Sequence, residues 1–359
     1  MTTYLLAGGG TAGHVNPLLA SADEIMRRDP NATVIVLGTR EGLESRLVPA
    51  AGFELSTVAR LPFPRALSFA ALVYPFKLAR AVRVTRTLIR TRNVDVVVGY
   101  GGYASAPAYL AAWFEKKPIV IHEANAIPGI ANKLGARLTR FVGVTFPDTP
   151  LHHATVVGMP LRREIEQLDR DATRDEARKF FGLDSKPVLL VTGGSTGAAR
   201  LNGVIVECAK DIVTAGWQIV HTVGDTRDFV DPGIPGYHPL TYCDRMDLAY
   251  AAADLVIARA GSATVSELSG LGIPAIFVPY AYGNGEQGKN AAHIVASGGA
   301  RLCLDRDFTS AYIRDEVVPL MGDSAALKAI AKAAKSAGIR DGSARLADMI
   351  DAALVESAK

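Results

Sequence analysis

Apolar residues along this chain gather in short, nearly uninterrupted blocks, separated by polar stretches with helical spacing. Blocks at 4–7, 33–37, 94–98, 118–122 and 141–144 predict strands in the first half. Blocks at 188–191, 218–223, 255–258 and 275–278 predict strands in the second. Nearly continuous apolar runs of this length are expected for strands buried on both faces. Their alternation with helical segments predicts a parallel sheet covered by helices, an α/β fold. The two halves open alike. Gly9-Gly10-Thr11-Ala12-Gly13 follows the first block, and Gly193-Gly194-Ser195-Thr196-Gly197 follows the block that begins at 188. Each is a strand, a glycine turn with a hydroxyl residue, then a helix. The pattern predicts two Rossmann-like domains facing each other across a cleft, with the change of domain near Gly158-Met159-Pro160. Residues 169–179 predict a polar helix leading into the second sheet. Residues 343–355 have helical apolar spacing at Leu346, Met349, Ile350 and Leu354, and predict a last helix that returns to the first domain. The expected divisions are 1–158, 159–336 and 337–359.

Composition narrows the class. The chain has 359 residues, 49% apolar and 21% charged, which describes a folded globular protein too long for a single core. A net charge of +3 is too small a surplus for a general nucleic-acid binder. Cys208, Cys243 and Cys303 form no close pair, so neither a disulfide scaffold nor a CxxC site is expected, and a reducing compartment is the simplest setting. The first residues lack the basic start of a signal peptide. The longest uncharged run, 96–114, is interrupted by Gly99, Gly101, Gly102 and Pro107. It predicts a strand, a glycine turn and a helix, not a membrane span.

The run from Gly8 to Gly13 matches G-x-G-x-x-G. Such a loop brings backbone N–H groups to phosphate at a helix N-terminus. A dinucleotide site would also want an acid at the end of the second strand, where this chain has Gly38-Thr39-Arg40. Diphosphate binding by both glycine loops is therefore the favoured expectation over NAD or FAD, with a purely structural turn as the plain alternative. His14 follows the first loop in the first turn of a helix. A titratable imidazole there can take a hydroxyl proton, or it can orient a phosphate or sugar.

Gly9-Gly10-Thr11-Ala12-Gly13-His14 with Asn16-Pro17 resembles the N-terminal signature of the MurG family. These bacterial enzymes transfer N-acetylglucosamine (GlcNAc) to lipid I, giving lipid II for peptidoglycan. The likeness continues in order along nearly the whole chain. Gly101-Gly102-Tyr103 resembles the second glycine loop of the family. His122-Glu123-Ala124-Asn125, with Gly129, Asn132 and Lys133, resembles its HExN segment. Gly193–Ala198 with Asn202 resembles the third glycine loop, and Ala260–Glu267 the donor block. Gln287 and Asn290 match the segment after the Pro279 strand.

The resemblance implies a GT-B fold whose first domain binds acceptor and whose second binds UDP-GlcNAc. It implies acceptor contacts at Thr11, Ala12, Gly13, Tyr103, Asn125 and Asn132. On the donor side it implies Arg162, Ser195, Cys243, Gln287, Asn290, and the block Ser262, Ala263, Thr264, Val265, Ser266 and Glu267. Glu267 would accept hydrogen bonds from the donor ribose hydroxyls. Ser195 and its amides would hold the diphosphate, Arg162 would add positive charge, and Gln287 would contact the sugar. His14 is the candidate base and Glu123 the next. Three residues depart from the family pattern: Thr196 stands in place of a frequent Gln, Ala12 of a frequent Gly, and Cys243 of an aliphatic residue.

No cofactor and no protein-ligated metal are expected. Asp169-Arg170-Asp171 and Asp305-Arg306-Asp307 spell D-x-D, but are expected to be solvated loop charges. His152-His153 has no third ligand at metal spacing. Residues 60–92 hold eight basic residues and no acid, beside Phe63, Leu67, Phe69, Leu72, Val73, Tyr74 and Phe76. Anionic lipid attracts such a surface by ~1 kcal/mol per basic residue, and apolar side chains dip into the interface. Membrane contact is expected through Phe76, Lys77, Arg80, Arg83 and Trp113. The implied partners are UDP-GlcNAc, lipid I and an anionic membrane surface, with room for other cell-wall synthesis proteins and none for nucleic acid. The implied location is peripheral, on the cytoplasmic face of the bacterial cell membrane. A UDP-GlcNAc epimerase and a non-catalytic nucleotide-sugar sensor are the competing readings, and an assay with UDP-GlcNAc and lipid I separates the three.

Overall fold

The computed structural model describes residues 1–64, 69–194, 198–224, 229–281 and 284–358. Contacts divide the chain into two units. One comprises Met1–Arg162 with Asp341–Lys359, the other Arg163–Arg340. Residues 159–162, expected with the second domain, thus belong by their contacts to the first unit.

The first unit is a seven-stranded, wholly parallel sheet. Its strands are β1 (Thr3–Ala7), β2 (Thr33–Gly38), β3 (Glu54–Thr57), β4 (Val96–Gly99), β5 (Ile119–Glu123), β6 (Phe141–Val144) and β7 (Ala154–Val156). The order is β3-β2-β1-β4-β5-β6-β7. Tyr4 pairs with Val34 on one side and Val96 on the other. Because strand side chains alternate, the apolar blocks split cleanly between two cores. Leu5, Ala7, Ile35, Leu37, Val97 and Ile121 face one helix layer. Tyr4, Leu6, Val34, Val36, Val98 and Val120 face the other, which includes Leu346, Ile350 and Ala353. Those last three belong to the helix Gly342–Ser357, which packs on the helix Ala12–Arg28. Arg28 ties the two helices together through Asp348 (2.7 Å) and Asp351 (3.2 Å).

The second unit is a parallel sheet of six strands, ordered β10-β9-β8-β11-β12-β13. They are β8 (Val188–Thr192), β9 (Gln218–Thr222), β10 (Tyr237–Leu240), β11 (Leu255–Ala258), β12 (Ala275–Phe277) and β13 (Arg301–Leu302). One core packs Leu189, Val191, Ile219, Ile257 and Ile276 against the helix Ala199–Thr214. The helix predicted at 169–179 spans Arg170–Phe181. Asp169 caps it by accepting from the amides of Asp171 and Ala172, and left-handed Gly182 ends it. Asp169 is therefore a helix cap, not a loop charge without a task.

The uncharged run 96–114 becomes β4 and the helix Ser105–Phe114. Among the described residues no helix is long and apolar enough to cross a membrane. All three cysteines are buried and free.

Candidate active site

In each unit the strand order reverses at one point, between β1 and β4 and between β8 and β11. Loops at the carboxyl ends of such strands diverge and leave a crevice, the usual ligand position in open parallel sheets. Gly8–Gly13 and Gly101-Gly102 lie there in the first unit, and Gly193-Gly194 and Gly261 in the second.

In the first unit the loop after β4 passes directly against the loop after β1. A methyl group on Gly102 (φ +79°) would lie 2.4 Å from the Gly9 carbonyl oxygen. Only glycine permits both that conformation and that approach. The His14 ring is brought against the same turn, since a methyl on Gly101 would sit 3.1 Å from its Nε2. Nδ1 of His14 lies 3.2 Å from Thr11 Oγ1. When Nδ1 carries the proton and donates it to the hydroxyl oxygen, Nε2 is left as the basic nitrogen. Thr11, expected to touch substrate, also bonds this imidazole through its hydroxyl.

The first loop departs from a phosphate cradle at Gly10. Its N–H donates to Glu44 Oε2 at 2.7 Å, so this amide already holds an anion of the protein itself. Glu44 follows the acid-free end of β2 at Gly38-Thr39-Arg40 and opens the next helix. Its carboxylate also accepts from Thr39 N–H (2.8 Å) and Thr39 Oγ1 (2.7 Å). Burial alone would raise the Glu44 pKa, but the bonds from Gly10 and Thr39 outweigh it and hold the group below the ordinary carboxylate value.

The HExN segment turns inward. Glu123 is 2% exposed, and its carboxylate accepts from Asn125 N–H (3.0 Å), Gly129 N–H (2.9 Å) and Asn132 Nδ2 (2.9 Å). Asn132, also buried, accepts from the Tyr109 hydroxyl at 2.7 Å and donates to the His122 carbonyl at 3.1 Å. Through these bonds Glu123, expected as the next candidate base, and Asn132, expected at the substrate, both shape the 124–129 loop from beneath. Asn125 is held in that loop by its own N–H bond to Glu123. His122 is buried, with Nε2 3.0 Å from the Gly158 carbonyl, and burial lowers its pKa to about 4. It is a neutral brace. Tyr103 carries the Arg60 guanidinium over its ring at 5.0 Å.

In the second unit Ser195, expected at the donor diphosphate, and its neighbour Thr196 lie outside the described residues. The chain after β11 runs Arg259-Ala260-Gly261 into the helix Ser262–Leu271. Arg259 is 8% exposed. Its Nη1 reaches Asp305 Oδ1 at 2.5 Å and the carbonyls of Val278 (3.1 Å) and Pro279 (3.3 Å), and its guanidinium lies 5.5 Å from the Tyr280 ring centre. Asp305 is therefore no solvated loop charge; it joins the ends of β11, β12 and β13. Sequence reasoning missed Arg259, whose signal was a lone Arg at the end of an apolar strand.

Glu267 is 8% exposed and accepts the Tyr250 hydroxyl at 2.8 Å. Ser262, Val265 and Ser266 are buried beside it, while Ala263 and Thr264 are partly exposed. Gln287 accepts the Tyr280 N–H on its carboxamide oxygen at 2.9 Å, so its NH₂ end is the part suited to a sugar hydroxyl. Asn290 is 1% exposed and donates to the Ala260 carbonyl at 3.4 Å, shaping the donor block from inside. Cys243 is buried on the loop before the helix Met246–Ala252. Arg162, expected beside the donor, is the last residue of the first unit. Among the described residues no group of His, Cys, Asp and Glu is placed to hold a metal ion.

Two Rossmann-like units, each with a glycine turn at its switch point, have the GT-B architecture, and the family matches make the chain a glycosyltransferase. Residues 4–144 match the glycosyltransferase family 28 N-terminal domain and residues 188–346 its C-terminal domain. The chain is 59% identical over 352 residues to a Clavibacter sepedonicus protein, with 98% of this chain and 96% of that one covered. That protein is named UDP-N-acetylglucosamine–N-acetylmuramyl-(pentapeptide) pyrophosphoryl-undecaprenol N-acetylglucosamine transferase. A Streptomyces coelicolor protein of the same name is 46% identical, with 99% of each chain covered. The crystal structure of Acinetobacter baumannii MurG superposes with a TM-score of 0.79 at 27% identity, covering 98% of this chain and all of that one. A Neisseria meningitidis UDP-GlcNAc 2-epimerase shares the fold, with a TM-score of 0.71 at 15% identity over 98% of this chain and 100% of its own. The chain belongs to glycosyltransferase family 28 and, within it, to the MurG family.

Proposed function

We propose that this protein transfers GlcNAc from UDP-GlcNAc to the C4 hydroxyl of the MurNAc sugar of lipid I, producing lipid II and UDP. The observation that carries this reading is the 59% identity, over nearly the full length of both chains, to a relative named for that transfer. The acceptor is taken by the first unit and the donor by the second. His14 removes the C4 proton as the oxygen attacks the anomeric carbon from the face opposite UDP, and the configuration inverts. An imidazole whose Nε2 edge lies beside the Gly101-Gly102 turn suits that task. Glu267 takes the ribose hydroxyls and Gln287 the sugar. The leaving diphosphate is met by the glycine turn and helix after β8, with Ser195 among its donors.

Lipid I resides in a bilayer, so the first unit must reach one. The helix Phe69–Thr91 offers exposed Leu72 (72%) and Phe76 (77%), and the helix it packs on offers Trp113 (54%) and Phe114 (50%). Lys77, Arg80 and Arg83 make no ion pair among the described residues. This supports peripheral attachment at the cytoplasmic face of the membrane through that surface. The basic segment is smaller than its sequence implies. Arg86 and Arg90 both pair with Glu115 (2.6 and 2.7 Å), Arg92 pairs with Glu54 (2.5 Å), and Arg65 lies outside the described residues.

Incubation with UDP-GlcNAc and lipid I tests the reading. UDP release with a disaccharide product is expected. Epimerised sugar without acceptor, or binding without turnover, would overturn it.

A further inference from the structure

Glu44 opens the short helix Glu44–Ala50 and is wholly buried. A buried carboxylate is costly unless its oxygens are bonded, and here all the donors are neutral: Gly10 N–H, Thr39 N–H and the Thr39 hydroxyl. The chain makes room for it with glycine. A methyl on Gly9 would lie 2.3 Å from Oε1, one on Gly42 2.0 Å from Oε2, and one on Gly38 2.4 Å from Cγ. The carboxylate thus joins the loop after β1 to the loop after β2 and is walled in by both. What it holds leads straight to the reacting end of the unit. Gly10 (φ +93°) precedes Thr11, whose carbonyl accepts from His14 and Val15 N–H and whose hydroxyl lies against His14 Nδ1.

We propose that Glu44 is a positioning residue for the acceptor half of the reaction, its carboxylate clamping the first glycine loop in the conformation that aims Thr11 and His14. This rests on the reading of the first unit as the acceptor unit. Glu44 does not touch substrate; it acts through Gly10 and the loop.

The test uses the full-length enzyme. Glu44→Gln keeps the volume but replaces one oxygen by an NH₂ that cannot accept. Gly42→Ala leaves Glu44 unchanged and pushes on its carboxylate. Both variants should lower kcat by about a hundredfold, the scale of a misplaced catalytic group. The KM for UDP-GlcNAc, and UDP affinity by calorimetry, should stay within about twofold. Amide hydrogen exchange should quicken at residues 9–14. In a His14→Ala background Glu44→Gln should cost little more, because the two act on one function. A merely structural role would make the losses multiply. Equal losses in both backgrounds, a matching fall in UDP affinity, or unaltered kcat in both variants overturns the proposal. Should Glu44→Gln fail to fold, Gly42→Ala decides on the same criteria. If the wild type transfers no sugar, the activity reading falls, and exchange then decides the clamp alone: unchanged protection at Gly10 sinks it.

Discussion

Glu44, Glu123 and Glu267 lie buried near the carboxyl ends of strands, and their partners separate their roles. Glu44 and Glu123 each accept from backbone amides of the loops they hold. Glu267 accepts a tyrosine hydroxyl, the kind of group a ribose also presents. Glu267→Ala should therefore weaken UDP binding by roughly ten- to a hundredfold, the worth of a charge-assisted hydrogen bond of ~1.5–3 kcal/mol. Calorimetry with unchanged UDP affinity would take it out of the donor site. Glu123→Gln should loosen the 124–129 loop and lower the melting temperature, while the pH profile of kcat keeps its shape. A lost acidic limb would instead return Glu123 to the chemistry as a base. His14 and Glu267 stand out in the sequence as candidates because each follows a glycine turn in a recognisable order of motifs. Glu44 does not, because it bonds to amides distant in sequence and no spacing marks that. Glu123 was legible as a position but its bonds to the 124–129 loop were not, since whether a carboxylate faces solvent or its own backbone depends on packing.

Strands and helices follow the same division. The nearly continuous apolar blocks became β1, β2, β4, β5, β6, β8, β9, β11 and β12. Absent from the sequence reading were β3, β7, β10 and β13, all outer members of their sheets or neighbours of the edge. They are short and partly exposed, as in Glu54-Leu55-Ser56-Thr57, and edge strands lack the two-sided burial that writes an apolar run. Braces between elements are invisible for a related reason: a side chain's type does not name its partner. Arg259 and Asp305 show what such a brace is worth. Asp305→Ala leaves a nearly buried guanidinium with carbonyls alone. It should cost about 3 kcal/mol, a fall on the order of 6–12 °C in melting temperature for a unit of this size. A smaller loss in Arg259→Met/Asp305→Leu than in Asp305→Ala would confirm that the stranded charge is responsible; a shift below a degree in Asp305→Ala would refute the brace. Each unit also holds a buried histidine, His122 and His221, whose pKa burial lowers from 6.5 to about 4. Between those values the unfolded chain binds the proton and the folded chain does not, so stability rises with pH through that window. Both units should lose stability as pH falls from 6.5 toward 4, by up to about 3 kcal/mol per histidine. Urea unfolding at pH 7.5 and pH 5 measures this, and equal free energies would show that these rings are not held neutral.

At the scale of the molecule, charge and exposed apolar surface coincide in the first unit, in a chain whose net charge is only +3. Lys77→Glu, Arg80→Glu and Arg83→Glu together should abolish co-sedimentation with anionic vesicles at low salt and leave UDP affinity unchanged. Raising salt should weaken wild-type binding only in part, because screening shortens to ~3 Å at 1 M while apolar insertion persists. A triple variant that sediments like wild type would move the membrane surface elsewhere. The first unit has one more property, which follows from its being built of two pieces of chain. Leu346, Ile350 and Ala353 complete a core begun by Tyr4 and Leu6, yet the whole second unit is encoded between them. On the ribosome the early strands must therefore wait with part of one apolar face uncovered, beside Leu18 and Ile25, while the second unit emerges. Such an unfinished face is the kind of surface that aggregates or needs a chaperone. The proposed acceptor half, begun first, is thus the last to be finished, and a nascent chain has no completed acceptor unit until the segment beyond residue 340 has been made.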